Sequence, residues 1–173
     1  LFTKRTFDIA GTSSKDLSVY FNGTLIAVNT FKDYITCAEY LINKHYTQSG
    51  KIAVHGGSAG GMLVGVVINM RPELFKAAIA DVPFVDVLNT MSDDTLPPTP
   101  PEWPEWGNPM MNKEDYYTIR EYSPYDNIKQ QRYPHILATA GLTDPRVTYW
   151  EPSKWVAKLR DEKIDSNLLV LKM

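Results

Sequence analysis

Helices and short apolar strands alternate along residues 29–171, which predicts an α/β protein whose parallel sheet is covered by helices on both faces. Residues 25–27 follow an Asn-Gly pair and have the pattern of a hairpin strand, and Thr30 is the predicted N-cap of the helix after them. That helix has apolar residues at intervals of three and four: Phe31, Tyr34, Ile35, Ala38, Leu41 and Ile42. Apolar runs at 51–54, 75–80, 133–140 and 168–171 have the length of buried strands, and the links between elements are short.

A glycine-rich turn between the first predicted strand and a helix ending near Met70 makes the fold class specific. It reads His-Gly-Gly-Ser-Ala-Gly-Gly, with Ser58 at its centre. Gly-x-Ser-x-Gly in that setting is typical of the nucleophile elbow of the α/β-hydrolase fold. We expect side chains at Gly56 and Gly60 to collide with the neighbouring strand or helix, and the Ala59 N–H to stabilise an oxyanion. A packing turn or a phosphate-binding loop is the alternative.

An acidic residue follows the third predicted strand. Residues 133–140 lead into Gly-Leu-Thr-Asp, which places Asp144 just past the carboxyl end of that strand. An α/β-hydrolase keeps its acid after the nucleophile in sequence and in such a loop. Asp144 also precedes a proline, and Asp-Pro favours turns, so a turn-forming role is the alternative.

The three histidines are poor candidates for the base of a triad. In this fold the base follows the final strand, and the sequence ends two residues after the run 168–171. We expect His45 and His135 at the edge of the sheet away from Ser58, and His55 to point into the sheet environment. Without a base the Ser58 hydroxyl is a weak nucleophile, so we expect little or no turnover from these residues alone.

Residues 89–127 interrupt the alternation of helices and strands. Six prolines predict irregular structure over much of this segment: Pro97, Pro98, Pro100, Pro101, Pro104 and Pro109. One interpretation is a packed surface loop anchored by Trp103 and Trp106. The other is a wall of the substrate site, in which Glu102 and Glu105 recognise cations.

Composition excludes several classes of protein. The 173 residues are 43% hydrophobic with a formal net charge of −2, so we expect no nucleic-acid or membrane partner. No apolar run is long enough to span a bilayer, and the N terminus lacks the pattern of a secretory signal. The single cysteine, Cys37, excludes an internal disulfide. We therefore expect a cytoplasmic location, and neither a metal ion nor a cofactor.

The elbow at 56–61 resembles that of the prolyl oligopeptidase family of serine peptidases. Segments 29–34, 81–87, 105–109, 122–127 and 149–155 resemble the branch of that family whose members cut after Arg or Lys. This resemblance implies a peptidase that cuts short basic peptides through an acyl-enzyme on Ser58, with Asp144 as the acid. It also implies that Arg146 holds a substrate carbonyl and that Glu102 pairs with the basic side chain. The second acidic position of the family pocket is Pro104 here.

The same resemblance implies that the chain is a partial domain. Residues 29–173 match the peptidase domain without its catalytic His loop, the tyrosine of its oxyanion hole or its β-propeller. Residues 1–28 match poorly, and we expect an insertion at about 6–28. Three alternatives to a serine peptidase domain follow: a degraded non-catalytic fragment, a subunit that needs a separate chain for the missing parts, and an esterase on the same fold.

Overall fold

A computed structural model describes residues 24–173, which form a four-stranded sheet with helices packed against it. In chain order the elements are α1 (Thr24–Asn43), β1 (Ile52–Gly57), α2 (Ala59–Met70), β2 (Phe75–Asp81), α3 (Val87–Met91), α4 (Thr99–Trp106), α5 (Lys113–Tyr122), β3 (His135–Thr139), α6 (Trp150–Glu162) and β4 (Leu169–Lys172). Helix α2 ends at Met70 as predicted, and a short 3₁₀ turn at Pro72–Leu74 separates it from β2.

The sheet is parallel throughout, with the strand order β1-β2-β3-β4. Gly57 pairs with Asp81, and Asp81 pairs with Thr139, so β1, β2 and β3 end side by side. The loops that carry Ser58 and Asp144 leave this common edge. The parallel sheet and its packed helices confirm the predicted α/β class.

The described residues cover the two faces of the sheet unequally. One face carries the buried side chains of Val54, Ala78, Ala80, Ile136 and Ala138, which join the core formed with α2 and α6. The intervening residues of each strand point to the opposite face, away from that core. His55 and Val170 are exposed there, and Ile79 and Leu137 are half-buried. Within residues 29–173 the expected cover by helices is therefore found on one face.

Helix α1 begins earlier than the sequence predicted. We expected Thr30 to cap it, but the helix begins at Thr24 and includes 25–27, which had the pattern of a hairpin strand. Leu25 and Ala27 have high helix propensity, so the local sequence also suits a helix. The rest of that hairpin, and residues 6–23 of the expected insertion, lie outside the described residues. No helix within 24–173 is long and apolar enough to cross a membrane.

The proline-rich segment contains more regular structure than expected, because α3, α4 and α5 all lie within it. Pro100 and Pro101 occupy the first turn of α4. Backbone N–H groups of a first turn have no intrahelical partner, so proline costs little there. Trp103 fastens α4 to α3 because its indole N–H donates to the Met91 carbonyl at 3.1 Å. The segment is thus a packed wall rather than an irregular loop.

Candidate active site

The turn after β1 holds Ser58 in a strained backbone conformation. Ser58 has φ 53° and ψ −122°, in the half of φ space that residues other than glycine rarely adopt. Its N–H donates to the Asp81 carbonyl at 2.9 Å, and its carbonyl accepts from Met62 and Phe84, each at 3.1 Å. Strained residues of this kind persist where the surroundings fix them, and they cluster at functional sites.

The glycines of the elbow differ in what they contribute. A Cβ on Gly56 would lie 2.2 Å from the Gly60 carbonyl oxygen, so the predicted collision is found there. At Gly60 the prediction is wrong, because an added Cβ would meet nothing within 4 Å. Gly61 is the second crowded position, with Pro83 Cβ 2.6 Å away. The unusual backbone angles belong to Ser58 rather than to Gly56 or Gly60.

We expect Gly56→Ala and Gly60→Ala to change stability in opposite directions. Gly56→Ala forces β1 away from α2 and lowers the free energy of unfolding by about 1–3 kcal/mol. Gly60→Ala adds a methyl group in open space within the first turn of α2, and raises that free energy by a few tenths of a kcal/mol up to about 1. Urea unfolding of the two variants checks this. Equal destabilisation would contradict the described contacts.

Ser58 and Ala59 open onto a pocket of about 310 Å³. Ala59 is the first residue of α2, so its N–H has no partner within the helix. The wall opposite comes from α4 and from the loop after β3, and includes Trp106 and Asp144. The structure therefore brings a serine, a helix N–H and an acidic residue to one cavity.

Asp144 lies in the loop after β3, where its carboxylate stabilises the turn that follows it. Its Oδ1 accepts the N–H groups of Arg146 at 2.8 Å and Val147 at 3.1 Å. The turn-forming interpretation of Asp144 is thus confirmed. Its Oδ2 accepts no hydrogen bond from residues 29–173, which leaves one oxygen for a further partner.

The two residues expected to bind substrate lie together and contact each other. Arg146 Nη2 donates to Glu102 Oε1 at 3.1 Å, and the Trp106 indole N–H donates to Glu102 Oε2 at 3.0 Å. Arg146 is 76% exposed, whereas the Glu102 side chain is 29% exposed. The arginine is thus the more exposed member of an ion pair at the pocket rim. Glu105 lines the same pocket.

None of the three histidines contacts Ser58 within the described residues. His55 Nε2 lies 2.6 Å from Asp81 Oδ2 with its side chain 63% exposed, so it lies on the open face of the sheet rather than in a buried environment. This bond, together with one from Thr139, lowers the pKa of Asp81. His135 begins β3 and its Nδ1 accepts the Leu168 N–H, which places it at the opposite edge from Ser58 as predicted.

A buried carboxylate that the sequence did not single out supports the pocket wall. Glu151 is fully buried. Its Oε2 accepts the N–H groups of Val85 and Asp86, and its Oε1 accepts the Thr90 hydroxyl at 2.8 Å. Burial raises the pKa of Glu151 to about 7. The sequence signal that could have predicted its burial is its position one turn before Trp155, on the apolar side of α6.

The sequence and fold of this chain are similar to those of known serine peptidases. The sequence profile described as the prolyl oligopeptidase family matches residues 8–173. The chain belongs to that family. It is 54% identical to Protease 2 of Moraxella lacunata over 144 residues, and 49% identical to dipeptidyl aminopeptidase BI of Pseudoxanthomonas mexicana over 135 residues. Oligopeptidase B from Leishmania major superposes with a TM-score of 0.81 at 53% identity.

These matches cover most of this chain and a small part of each relative. Protease 2 is matched over 83% of this chain and 21% of its own length, and dipeptidyl aminopeptidase BI over 78% and 18%. The L. major structure is matched over 83% of this chain and 20% of that one. The chain thus spans about a fifth of the length of these relatives.

Proposed function

We propose that this chain forms the serine-nucleophile part of a peptidase that cuts short peptides after Arg or Lys. The observation that carries the proposal is the strained elbow, whose Ser58 and Ala59 line a pocket together with Asp144, Glu102 and Glu105. Family membership and relatives named as a protease and an aminopeptidase support the reaction class.

In this mechanism Ser58 Oγ attacks the carbonyl carbon of the scissile peptide bond while a general base takes its proton. The Ala59 N–H donates to the oxygen as it becomes negatively charged. The amine product leaves with the proton, and an acyl group remains on Ser58. Water then attacks this ester and releases the second product. Asp144 holds the base in position through its free oxygen.

We propose that this base comes from outside the 173 residues, because none of their three histidines approaches Ser58. The remainder of a longer polypeptide is one source, and a separate chain is the other. By themselves these residues are then expected to turn over substrate slowly or not at all, although the nucleophile and pocket are formed.

Substrate binding uses the pocket rim. Arg146 is exposed enough to leave Glu102 and hold a substrate carbonyl, which frees the Glu102 carboxylate to pair with the basic side chain. The substrates are then short basic peptides. A single cysteine, Cys37, fits a cytoplasmic location, which belongs to the same proposal.

The test is hydrolysis of fluorogenic peptide amides by the protein expressed from its own gene, with all the sequence that gene encodes. We expect arginyl and lysyl peptides to react, and the norleucyl analogue to react at least tenfold more slowly. Equal rates on all three would contradict the specificity. Hydrolysis of simple esters without hydrolysis of peptide amides would favour the esterase, and inertness towards both would favour a non-catalytic fragment.

A further inference from the structure

We infer that Glu105 is a specificity-determining residue, whose carboxylate binds the basic side chain of the substrate. The inference rests on the proposed function and adds a residue to it. Glu105 lies on α4, one turn after Glu102, and lines the pocket that Ser58 opens onto. Residues three apart on a helix lie on the same side, so both carboxylates serve one binding region.

The hydrogen bonds at the rim separate the roles of the two glutamates. Both oxygens of Glu102 are occupied, one by Arg146 and the other by the Trp106 indole. An incoming cation must displace Arg146 to reach Glu102. Glu105 is exposed and accepts no hydrogen bond or ion pair from residues 29–173. It therefore receives a cation without the loss of an existing contact.

Charge pairing in the pocket leaves two carboxylates without a cation, Glu105 and Asp144. The charged side chains of the lining are Glu102, Glu105, Asp144 and Arg146. Arg146 compensates Glu102, and two backbone N–H groups occupy one oxygen of Asp144 in the turn beside Ser58. Glu105 is the uncompensated carboxylate on α4, so it attracts a guanidinium or ammonium group that enters along this helix.

The walls beside Glu105 suit the stem of such a side chain. Trp106 is half-buried, with its ring 5.7 Å from that of Phe84, and both line the pocket. The long aliphatic stems of Arg and Lys pack on apolar and aromatic surfaces while the charged end stays at a polar rim. A side chain held in this way reaches an exposed carboxylate at the rim.

The experiment measures kcat/KM for an arginyl peptide amide and for its citrullyl analogue, which has nearly the same shape without the charge. Wild type, Glu105→Gln, Glu105→Asp and Glu114→Gln are compared in the full gene product. Glu114 is an exposed glutamate on α5 outside the pocket lining and serves as the matched control. We expect Glu105→Gln to lower the Arg-to-citrulline ratio at least about fivefold, mainly through KM. Glu105→Asp should restore part of it, and Glu114→Gln should leave it unchanged.

A wild-type ratio near one would overturn the proposed specificity, and this inference with it. A high wild-type ratio that persists in Glu105→Gln would overturn only the role of Glu105. Calorimetric titration with N-acetyl-arginine amide and N-acetyl-citrulline amide gives the same comparison without catalysis. There the arginine derivative should bind more tightly to wild type, and this preference should fall in Glu105→Gln. Equal binding of the two amides by wild type would overturn the inference.

Discussion

Ser58→Ala is expected to lower kcat/KM for an arginyl peptide amide by roughly 10⁵-fold or more, because no other group can form the acyl-enzyme. Among the pocket residues of the described chain, Ser58 alone combines a hydroxyl with the strained turn and an adjacent helix N–H. The measurement is steady-state hydrolysis by the full gene product. Binding of the substrate should change little, since the alanine variant keeps the pocket walls.

Ser166→Ala is the matched control for this prediction, because Ser166 is exposed and lies outside the pocket. It should retain the wild-type rate. A Ser58→Ala variant that keeps a substantial fraction of wild-type activity would show that another residue is the nucleophile. The elbow would then be a packing feature or a binding loop.

Glu151→Leu is expected to lower the free energy of unfolding by at least about 3 kcal/mol. Leucine leaves the buried N–H groups of Val85 and Asp86 and the Thr90 hydroxyl without their acceptor, at about 1–3 kcal/mol each. Glu151→Gln keeps one acceptor oxygen and should be markedly more stable than Glu151→Leu. Urea unfolding checks the order, and equal stability of the two variants would contradict this role.

The same carboxylate predicts a pH dependence. Burial, reinforced by the negative charge of Asp86, raises the pKa of Glu151 from 4.5 to about 7, so the folded protein binds this proton more tightly than the unfolded chain. Its contribution to stability is greatest below pH 4.5 and is lost as pH rises through 7.

The comparison with Glu151→Gln isolates this titration from that of Asp81, whose lowered pKa acts in the opposite sense at acidic pH. The stability of wild type relative to Glu151→Gln should fall by about 2 kcal/mol between pH 5 and pH 8. Denaturant unfolding across that range measures it. A constant difference would show that Glu151 does not change its charge there.

The order of elements was predictable because the apolar periodicity of this chain is strong. The elbow, β2 and β3 lie within a few residues of their predicted bounds. Predictions of secondary structure from local patterns were wrong where the position of a residue within its helix matters. Prolines of the first turn of α4 were interpreted as helix breakers, although a first turn tolerates them.

The candidate site was predictable where the backbone motif determines it, and less so where side chains meet across the fold. Ser58, Asp144, Glu102 and Arg146 do share one pocket. The predicted collision at Gly60 occurs at Gly61 instead, because a motif does not show which residue faces Pro83. Glu151 contacts residues more than sixty positions away, and such contacts leave no local pattern.

Mapping of a covalent adduct tests the central claim that Ser58 is a nucleophile whose base lies outside these 173 residues. The full gene product and the 173-residue chain are each treated with a fluorophosphonate, digested and examined by mass spectrometry. We expect rapid modification of Ser58 in the gene product, or in the chain once its missing partner is added, and slow modification of the chain alone. Modification at another residue, or equally rapid modification of Ser58 in the chain alone, would contradict it.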